Sequence, residues 1–244
     1  MARVSIRERD KLYWNFDDIM ETEDKLGAKS TFFFLQESIP FELLNISNWK
    51  LSLGRYDIYN DKVANVIKTL DDQGWEIGLH GSYLSFNSLK LLKNERKQLE
   101  EVLGHEIIGI RQHYLNLNDK TWEYQQQAGF KYDSTWGFTD RIGYKNNRVK
   151  PFKPIDGAFI EFPLAIMDSC YMEDNNKEQN LEKVIAQTRE SGGILVLNWH
   201  SNSWNAGEYP GYKQNYIKII RDLQKEGAIF KTLSEFYQDT IQKP

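Results

Sequence analysis

The sequence of 244 residues is poor in cysteine and proline and contains no long apolar run. Its one cysteine, Cys170, cannot form an internal disulfide, which excludes a disulfide-stabilised secreted domain and predicts a cytoplasmic protein. With 6 Pro and 16 Gly, the chain is neither collagen-like nor of low complexity. The longest apolar runs, such as residues 32–35, are far too short to cross a bilayer, and the first residues lack the apolar segment of a signal peptide. We therefore expect no membrane-spanning segment.

Charge of one sign is not concentrated in the sequence either. The chain has 31 Lys and Arg against 35 Asp and Glu, a net charge of −4, and no basic cluster of the kind that binds phosphate groups. Nucleic acid is therefore not expected as a partner. Hydrophobic residues at 40% and charged residues at 27% are typical of a folded globular chain. Because α/β barrels of this length commonly form one domain, we expect a single domain over residues 1–244.

Aromatic residues, by contrast, are abundant: 13 Phe, 13 Tyr and 7 Trp make up 14% of the chain. Most of these rings are expected in the core. Since sugar-binding clefts also use exposed aromatic faces, the excess favours a carbohydrate substrate.

Segments with apolar residues at helical spacing alternate with short apolar runs rich in β-branched and aromatic residues. Glycine follows several of the predicted helices, as is typical of helix ends, and Asp119 and Ser234 are predicted helix caps. The predicted helices are 12–26, 63–74, 89–103, 119–128, 181–189, 216–225 and a C-terminal helix. The predicted strands are 29–35, 75–80, 106–111, 130–135, 158–164, 194–200 and 228–233.

This alternation predicts an α/β protein with a parallel sheet and helices outside it. Crossovers between parallel strands are right-handed, and about seven strands are predicted. We therefore expect a closed or nearly closed β/α barrel instead of an open doubly wound sheet. A dinucleotide-binding fold is not favoured, because no G-x-G-x-x-G motif occurs in the sequence.

Polar residues cluster at the ends of the predicted strands. Three of the four histidines stand there, together with an arginine and an aspartate. In β/α barrels the carboxyl ends of the strands meet at one face, so we expect these side chains to converge. Neutral histidine binds metals or transfers protons near pH 7, and arginine keeps a nearby carboxylate ionised. The predicted site consists of His80, Arg111, His113, Asp133 and His200.

Five runs, STFFFL, EIGLHGSY, GIRQHYL, FKYDSTWGF and LVLNWH, occur in this order. They resemble the polysaccharide deacetylase family with the NodB-homology fold, in particular a branch associated with surface-polysaccharide gene clusters. The similarity extends over residues 13–237. It implies an irregular β/α barrel that hydrolyses N-acetyl, or sometimes O-acetyl, groups on a polysaccharide or its precursor. It also implies a divalent metal ion, usually zinc, which polarises the acetyl carbonyl and activates a water.

The resemblance implies a role for each matching residue. His80 matches the first histidine of the metal motif, and Arg111 matches the arginine that orients the catalytic carboxylate. Asp133 matches the acid that tunes the catalytic histidine, and Trp136 matches the ring beside the acetyl group. His200 matches the general acid that protonates the departing amine.

Other residues near these motifs have more than one interpretation. His113 stands where the family commonly has a proline, and it is an extra metal ligand, a substrate contact or a structural residue of the rim. Tyr83, Tyr114 and Trp136 are expected to line a sugar-binding cleft. A different metal amidohydrolase, with an all-histidine site, would use His80, His113 and His200 as its ligands.

Two motifs of the family are incomplete. Leu84 stands where a second metal-binding histidine is expected. The first motif would be adjacent acids at the end of a first strand, but Asp17 and Asp18 fall on or near the solvated face of a predicted helix. The Arg-rich segment 2–10 fits a loop better than a strand. We therefore expect a barrel without its first strand, which is an impaired deacetylase or an inactive glycan-binding barrel.

Overall fold

The computed structural model describes residues 14–39, 41–45, 48–49, 51 and 56–242. The segment 2–10 and the predicted start of the first helix lie outside these residues.

The first described helix, α1 (Phe16–Leu26), buries one apolar face and ends where Gly27 adopts a left-handed backbone with φ 61°. Asp17 and Asp18 lie on its exposed face, as predicted. Asp18 Oδ2 forms an ion pair with Nζ of Lys213 at 2.6 Å. Both acids are therefore on the outer surface of the protein.

In the described part of the chain, seven strands form two parallel sheets, which confirms the predicted α/β class. A five-stranded sheet has the order β1-β2-β3-β4-β5, and a two-stranded sheet pairs β6 with β7. These strands are β1 (Thr31–Leu35), β2 (Glu76–Gly81), β3 (Gly109–Gln112), β4 (Tyr132–Asp133), β5 (Ile160–Glu161), β6 (Leu164–Met167) and β7 (Val196–Asn198).

The register brings the carboxyl ends of neighbouring strands to one level. His80 in β2 aligns with Arg111 in β3, and Asp133 in β4 aligns with Glu161 in β5. Polar side chains that are far apart in the sequence therefore reach the same face of the barrel.

Helices lie outside the strands and bury their apolar faces against them. The remaining helices are α2 (Asp61–Asp72), α3 (Leu89–Leu103), α4 (Thr121–Gln127), α5 (Asp168–Glu173), α6 (Lys177–Ser191), α7 (Tyr212–Lys225) and α8 (Leu233–Gln242). In the largest core cluster, residues of α2 and α3 such as Ile67, Leu70 and Leu99 pack with Ile77 and Leu79 of β2. None of the described helices is long and apolar enough to cross a membrane.

Three predicted features of the secondary structure are wrong. Residues 228–232 are not a strand. Instead they lead into α8, which closes the amino end of the barrel: the backbone N–H of Leu233 donates to Thr31 Oγ1 at 3.0 Å. The cap of α8 is Thr232, not Ser234, because Thr232 and Glu235 exchange hydrogen bonds as a capping box. Helix α4 begins at Thr121, two residues after the predicted cap, Asp119.

As far as the described residues show, the barrel is open between β1 and β7. Within the described ranges, no strand pairs with the outer edge of either one. Between them lies a cavity of about 980 Å³, lined by both strands and by residues of α1 and α7. The nearly closed barrel that the sequence predicts is therefore an irregular one with a groove along one side.

Candidate active site

Four of the predicted site residues line the mouth of this groove, at the carboxyl ends of the strands. They are His80, Arg111, His113 and His200, and Asn198 at the end of β7 lies beside them. The convergence follows from the parallel register, because each residue stands at or just after the end of a strand.

His200 is held by a carboxylate that lies almost fully buried. Asp168 follows directly after β6, and its Oδ1 lies 2.8 Å from Nδ1 of His200. Its Oδ2 accepts the backbone N–H of His200 at 2.9 Å. Burial alone would raise the pKa of Asp168, but these bonds and one from the N–H of Ser169 hold the pKa below its usual value. The side chain of His200 is 48% exposed, so its Nε2 edge is accessible from the groove.

His80 is held in one orientation by the neighbouring strand. Its Nδ1 lies 2.9 Å from the carbonyl oxygen of Arg111, so Nδ1 carries the proton and Nε2 keeps its lone pair. Burial, and then the proximity of His113, lowers the pKa of His80 to about 3. The imidazole is therefore neutral at physiological pH.

His113 contacts both His80 and a buried acid. The ring centroids of the two histidines are 5.2 Å apart, and Nδ1 of His113 lies 3.6 Å from Oε2 of Glu37. Glu37 stands two residues after β1 and also accepts the backbone N–H groups of Tyr83, Ser38 and Ile39. Burial would raise the pKa of Glu37, but His113 and these donors lower it below its usual value.

Arg111 makes three hydrogen bonds in the barrel interior. Its Nε donates to the carbonyl oxygen of Ser134 at 2.8 Å, one terminal nitrogen donates to Ser134 Oγ at 3.0 Å, and the other donates to Asn198 Oδ1 at 3.0 Å. The guanidinium forms no ion pair with any carboxylate that the structure describes. Burial lowers the pKa of Arg111 to about 10, and the charge of Asp133 is the first of the effects that oppose this.

The described residues do not complete a metal site. His80 and His113 bring two imidazoles together, and the orientation of His80 suits a ligand. However, no three His, Cys, Asp or Glu side chains among the described residues are arranged to hold a metal ion, and catalytic zinc sites have about three protein ligands. The all-histidine site with His200 as third ligand is therefore not formed.

Tyr83 and Tyr114 form an aromatic edge beside His113. The centroid of Tyr114 lies 4.6 Å from that of His113 and 5.7 Å from that of Tyr83. Tyr114 is 58% exposed, and it and Leu115 both adopt left-handed backbone conformations, with φ 56° and 54°. Such conformations cost about 1 kcal/mol or more for residues other than glycine. The strained turn presents the ring of Tyr114 to solvent at the rim.

Two predicted residues lie away from the groove. Asp133 is fully buried and does not bind His200, so the expectation that it tunes the histidine is wrong: Asp168 has that position. Trp136 packs against Trp122 and Phe152, with ring centroids 5.7 Å and 6.4 Å away, and does not line the cavity.

The sequence interpretation missed Asp168 and Glu37. Both follow the end of a strand, which is the rule that identified the histidines, so the same rule could have found them. Asp168 was missed because the predicted strand ended at residue 164, whereas β6 continues to Met167.

No protein-family model matches the sequence, and no curated protein aligns with it significantly. Solved structures do match. A structure described as a polysaccharide deacetylase from Mycobacterium smegmatis is 18% identical, with a TM-score of 0.64, over 92% of this chain and 76% of that one.

Two further structures match 92% of this chain. A peptidoglycan N-acetylglucosamine deacetylase is 15% identical over 82% of its own length, with a TM-score of 0.54. A pseudoenzyme of carbohydrate esterase family 4 from Bacillus anthracis is 12% identical over 61% of its length, with a TM-score of 0.53. At this level of identity the comparisons establish the fold. This chain therefore has the fold of the polysaccharide deacetylases that its sequence motifs resemble.

Proposed function

We propose that this protein is a deacetylase-like hydrolase that acts on acetylated carbohydrate, with His200 as its general acid. The observation that carries the proposal is the pair of His200 and buried Asp168 at the mouth of the groove, 2.8 Å apart. The fold, which enzymes that remove acetyl groups from glycans share, supports the same reaction class.

The pair suits the departure of an amine. Hydrolysis adds water to the acetyl carbonyl, breaks the C–N bond and releases acetate, and the leaving nitrogen takes up a proton. Asp168 accepts the Nδ1 proton of His200, which directs Nε2 toward the groove and stabilises the charged imidazole. Nε2 is thus the atom that donates the proton to the nitrogen.

Arg111 and the aromatic edge supply binding. The guanidinium places a positive charge at the mouth of the groove, where it would stabilise negative charge that develops on the acetyl oxygen or a neighbouring carboxylate. Tyr83 and Tyr114 present rings on which a sugar can stack. His80 and His113 are the candidate metal ligands, and the described residues supply no third one.

The experiment is acetate release from acetylated chito-oligosaccharides by the purified protein, with and without added zinc. Replacing His200 with alanine should lower the rate by about 10²- to 10⁴-fold, the usual contribution of a general acid. His105 is the matched control, because it is exposed and its Nε2 binds only Asp71, 2.8 Å away on the outer surface. His105→Ala should leave the rate unchanged, and a His200→Ala protein that keeps the full rate contradicts the proposal.

An inactive glycan-binding barrel is the second candidate. It is favoured because the described residues bring only two imidazoles to the candidate metal position and place no ion-paired carboxylate at Arg111. A pseudoenzyme with this fold is known. In this case, the wild-type protein would bind chito-oligosaccharides without releasing acetate, and Tyr114→Ala would weaken the binding.

A further inference from the structure

Two acids beneath the site, Asp133 and Glu161, have no part in the proposed reaction. Each is the last residue of its strand, and they face each other as partners in the parallel register of β4 and β5. Both side chains are fully buried, and the two carboxyl groups interact with each other. A hydrogen bond between two carboxyl groups requires a proton on one of them.

We propose that Asp133 and Glu161 share one proton, so that the pair carries a single negative charge that balances Arg111 and positions residues 134–136 next to the site. Both acids are positioning residues, because neither reaches the groove.

The other hydrogen bonds of the pair leave one place for this proton. Glu161 accepts from Trp122 Nε1 at 2.9 Å and from the backbone N–H of Trp136 at 3.0 Å. Asp133 Oδ1 accepts from Thr135 Oγ1 at 2.5 Å, whereas its buried Oδ2 accepts from no described donor, so a carboxyl proton shared with Glu161 would satisfy it. Without that proton, an acceptor would remain unsatisfied in the interior, next to a second acceptor.

The charges that surround the pair agree with one anion. Arg111, from β3, is the cation that faces it, and it forms no ion pair with a described carboxylate. Tyr132, from β4, is kept neutral because burial raises its pKa well above the usual value. Gln125, from α4, adds a neutral amide. One carboxylate therefore neutralises one guanidinium, whereas two would leave an uncompensated buried charge.

Burial favours keeping a proton on the pair. It raises the pKa of Asp133 and raises the pKa of Glu161 well above its usual range, and the charge of Asp133 raises the pKa of Glu161 further. The pair therefore keeps one proton at neutral pH and carries one negative charge.

The pair determines where three consecutive residues lie. Ser134 binds Arg111, Thr135 binds Asp133, and the N–H of Trp136 binds Glu161. Ser134 in turn binds the guanidinium of Arg111, which lines the groove. The pair consequently sets the position of the guanidinium. The importance of that position for catalysis rests on the proposed function, whereas the shared proton does not.

The test is urea unfolding of wild-type protein, Glu161→Gln and Asp133→Asn between pH 4.5 and 8. The folded protein keeps one proton on the pair that the unfolded chain loses above a pKa of 4.5. Its stability is therefore full below that pH and falls as pH rises, by about tenfold in the unfolding constant per pH unit. The Glu161→Gln side chain donates an N–H to Asp133 without binding a proton, so this term should disappear.

Asp133→Asn should remove the same term, since Glu161 then becomes the anion. Glu123→Gln, an exposed substitution on α4, is the matched control and should follow the wild type. Combining Asp133→Asn with Glu161→Gln leaves Arg111 without an anion, so the loss of stability should exceed the sum of the single effects. A Glu161→Gln protein with the wild-type pH dependence overturns the shared proton, and additive effects overturn the charge balance.

Infrared spectroscopy tests the proton without relying on a variant's stability. Burial raises the pKa of Glu95 to about 7, so at pH 7 that carboxyl group contributes a carbonyl band as well. The band of the pair is therefore the part of the wild-type spectrum that Glu161→Gln removes at pH 8, and a carbonyl region that Glu161→Gln leaves unchanged contradicts the proposal. Acetate release tests the positioning role separately. If the band is present but the double substitution does not lower the rate of an active protein, the shared proton stands and its link to the site is wrong.

Discussion

Asp168 Oδ1 lies 2.8 Å from Nδ1 of His200, and Asp168 Oδ2 accepts the backbone N–H of the same histidine. The carboxylate therefore fixes both the ring and the main chain that carries it. A side chain with two hydrogen bonds of this kind controls the tautomer of the histidine.

Asp168→Asn should lower acetate release by about 10- to 100-fold, the usual effect of losing the residue that orients a catalytic group. The amide can still accept the backbone N–H of His200, but it stabilises the charged imidazole poorly. Asp119→Asn is the control, because Asp119 is exposed in the turn before α4. Equal rates for the two variants would show that Asp168 has only a structural role.

The strained turn at the rim makes a separate prediction. Tyr114 has φ 56°, which glycine adopts freely and alanine does not. Tyr114→Gly should therefore be more stable than Tyr114→Ala by about 1 kcal/mol in urea unfolding. Both variants lose the ring, so both should lose glycan affinity equally. If Tyr114→Ala instead binds glycan more weakly than Tyr114→Gly, in line with its lower stability, the ring does not contact the sugar.

The sequence predicted the fold best where local signals agree. The helix 89–103 has the predicted bounds, because Ser88 Oγ accepts the N–H of Leu91 at one end and Gly104 takes a left-handed conformation at the other. The segment 228–233 was predicted as a strand from its apolar residues alone. Its actual structure depends on the docking of α8 against Thr31, a contact about 200 residues away that no local pattern encodes.

The candidate site was predicted in the same uneven way. The strand-end rule identified His80, Arg111, His113 and His200, which share one cavity. It selected Asp133 and overlooked Asp168, because the predicted strand ended three residues before Met167, and only the three-dimensional arrangement shows that Asp168 meets His200.

Glu95 makes the stability of the protein depend on pH. This α3 residue is buried, and its carboxyl group accepts Ser82 N–H at 3.1 Å and Ser82 Oγ–H at 2.5 Å. Burial raises the pKa of Glu95 from 4.5 to about 7. The protonated carboxyl group of Glu95 stabilises the folded state fully below pH 4.5, and this contribution is lost as the pH rises to about 7. The total change in the free energy of unfolding is about 3 kcal/mol.

Glu95→Gln should remove this contribution. Between pH 4.5 and 7 the wild-type protein should lose stability that the variant keeps, so the unfolding free energy of the variant minus that of the wild type should increase with pH. Glu182→Gln, an exposed substitution on α6, should show no such trend. A constant difference across this range would place the carboxylate of Glu95 in its ordinary ionised state.

Arg111→Lys tests whether the guanidinium acts through its shape or its charge. Three hydrogen bonds hold Arg111 to Ser134 and Asn198, and a lysine ammonium keeps the charge but cannot reproduce this planar geometry. With two or more of the buried acceptors left unsatisfied, the variant should lose about 2–4 kcal/mol in urea unfolding. Arg221→Lys, exposed on α7, should lose almost nothing. If the two variants are equally stable, the position of Arg111 is set by its charge opposite Asp133 and not by these three hydrogen bonds. The segment 134–136 would then need a different anchor.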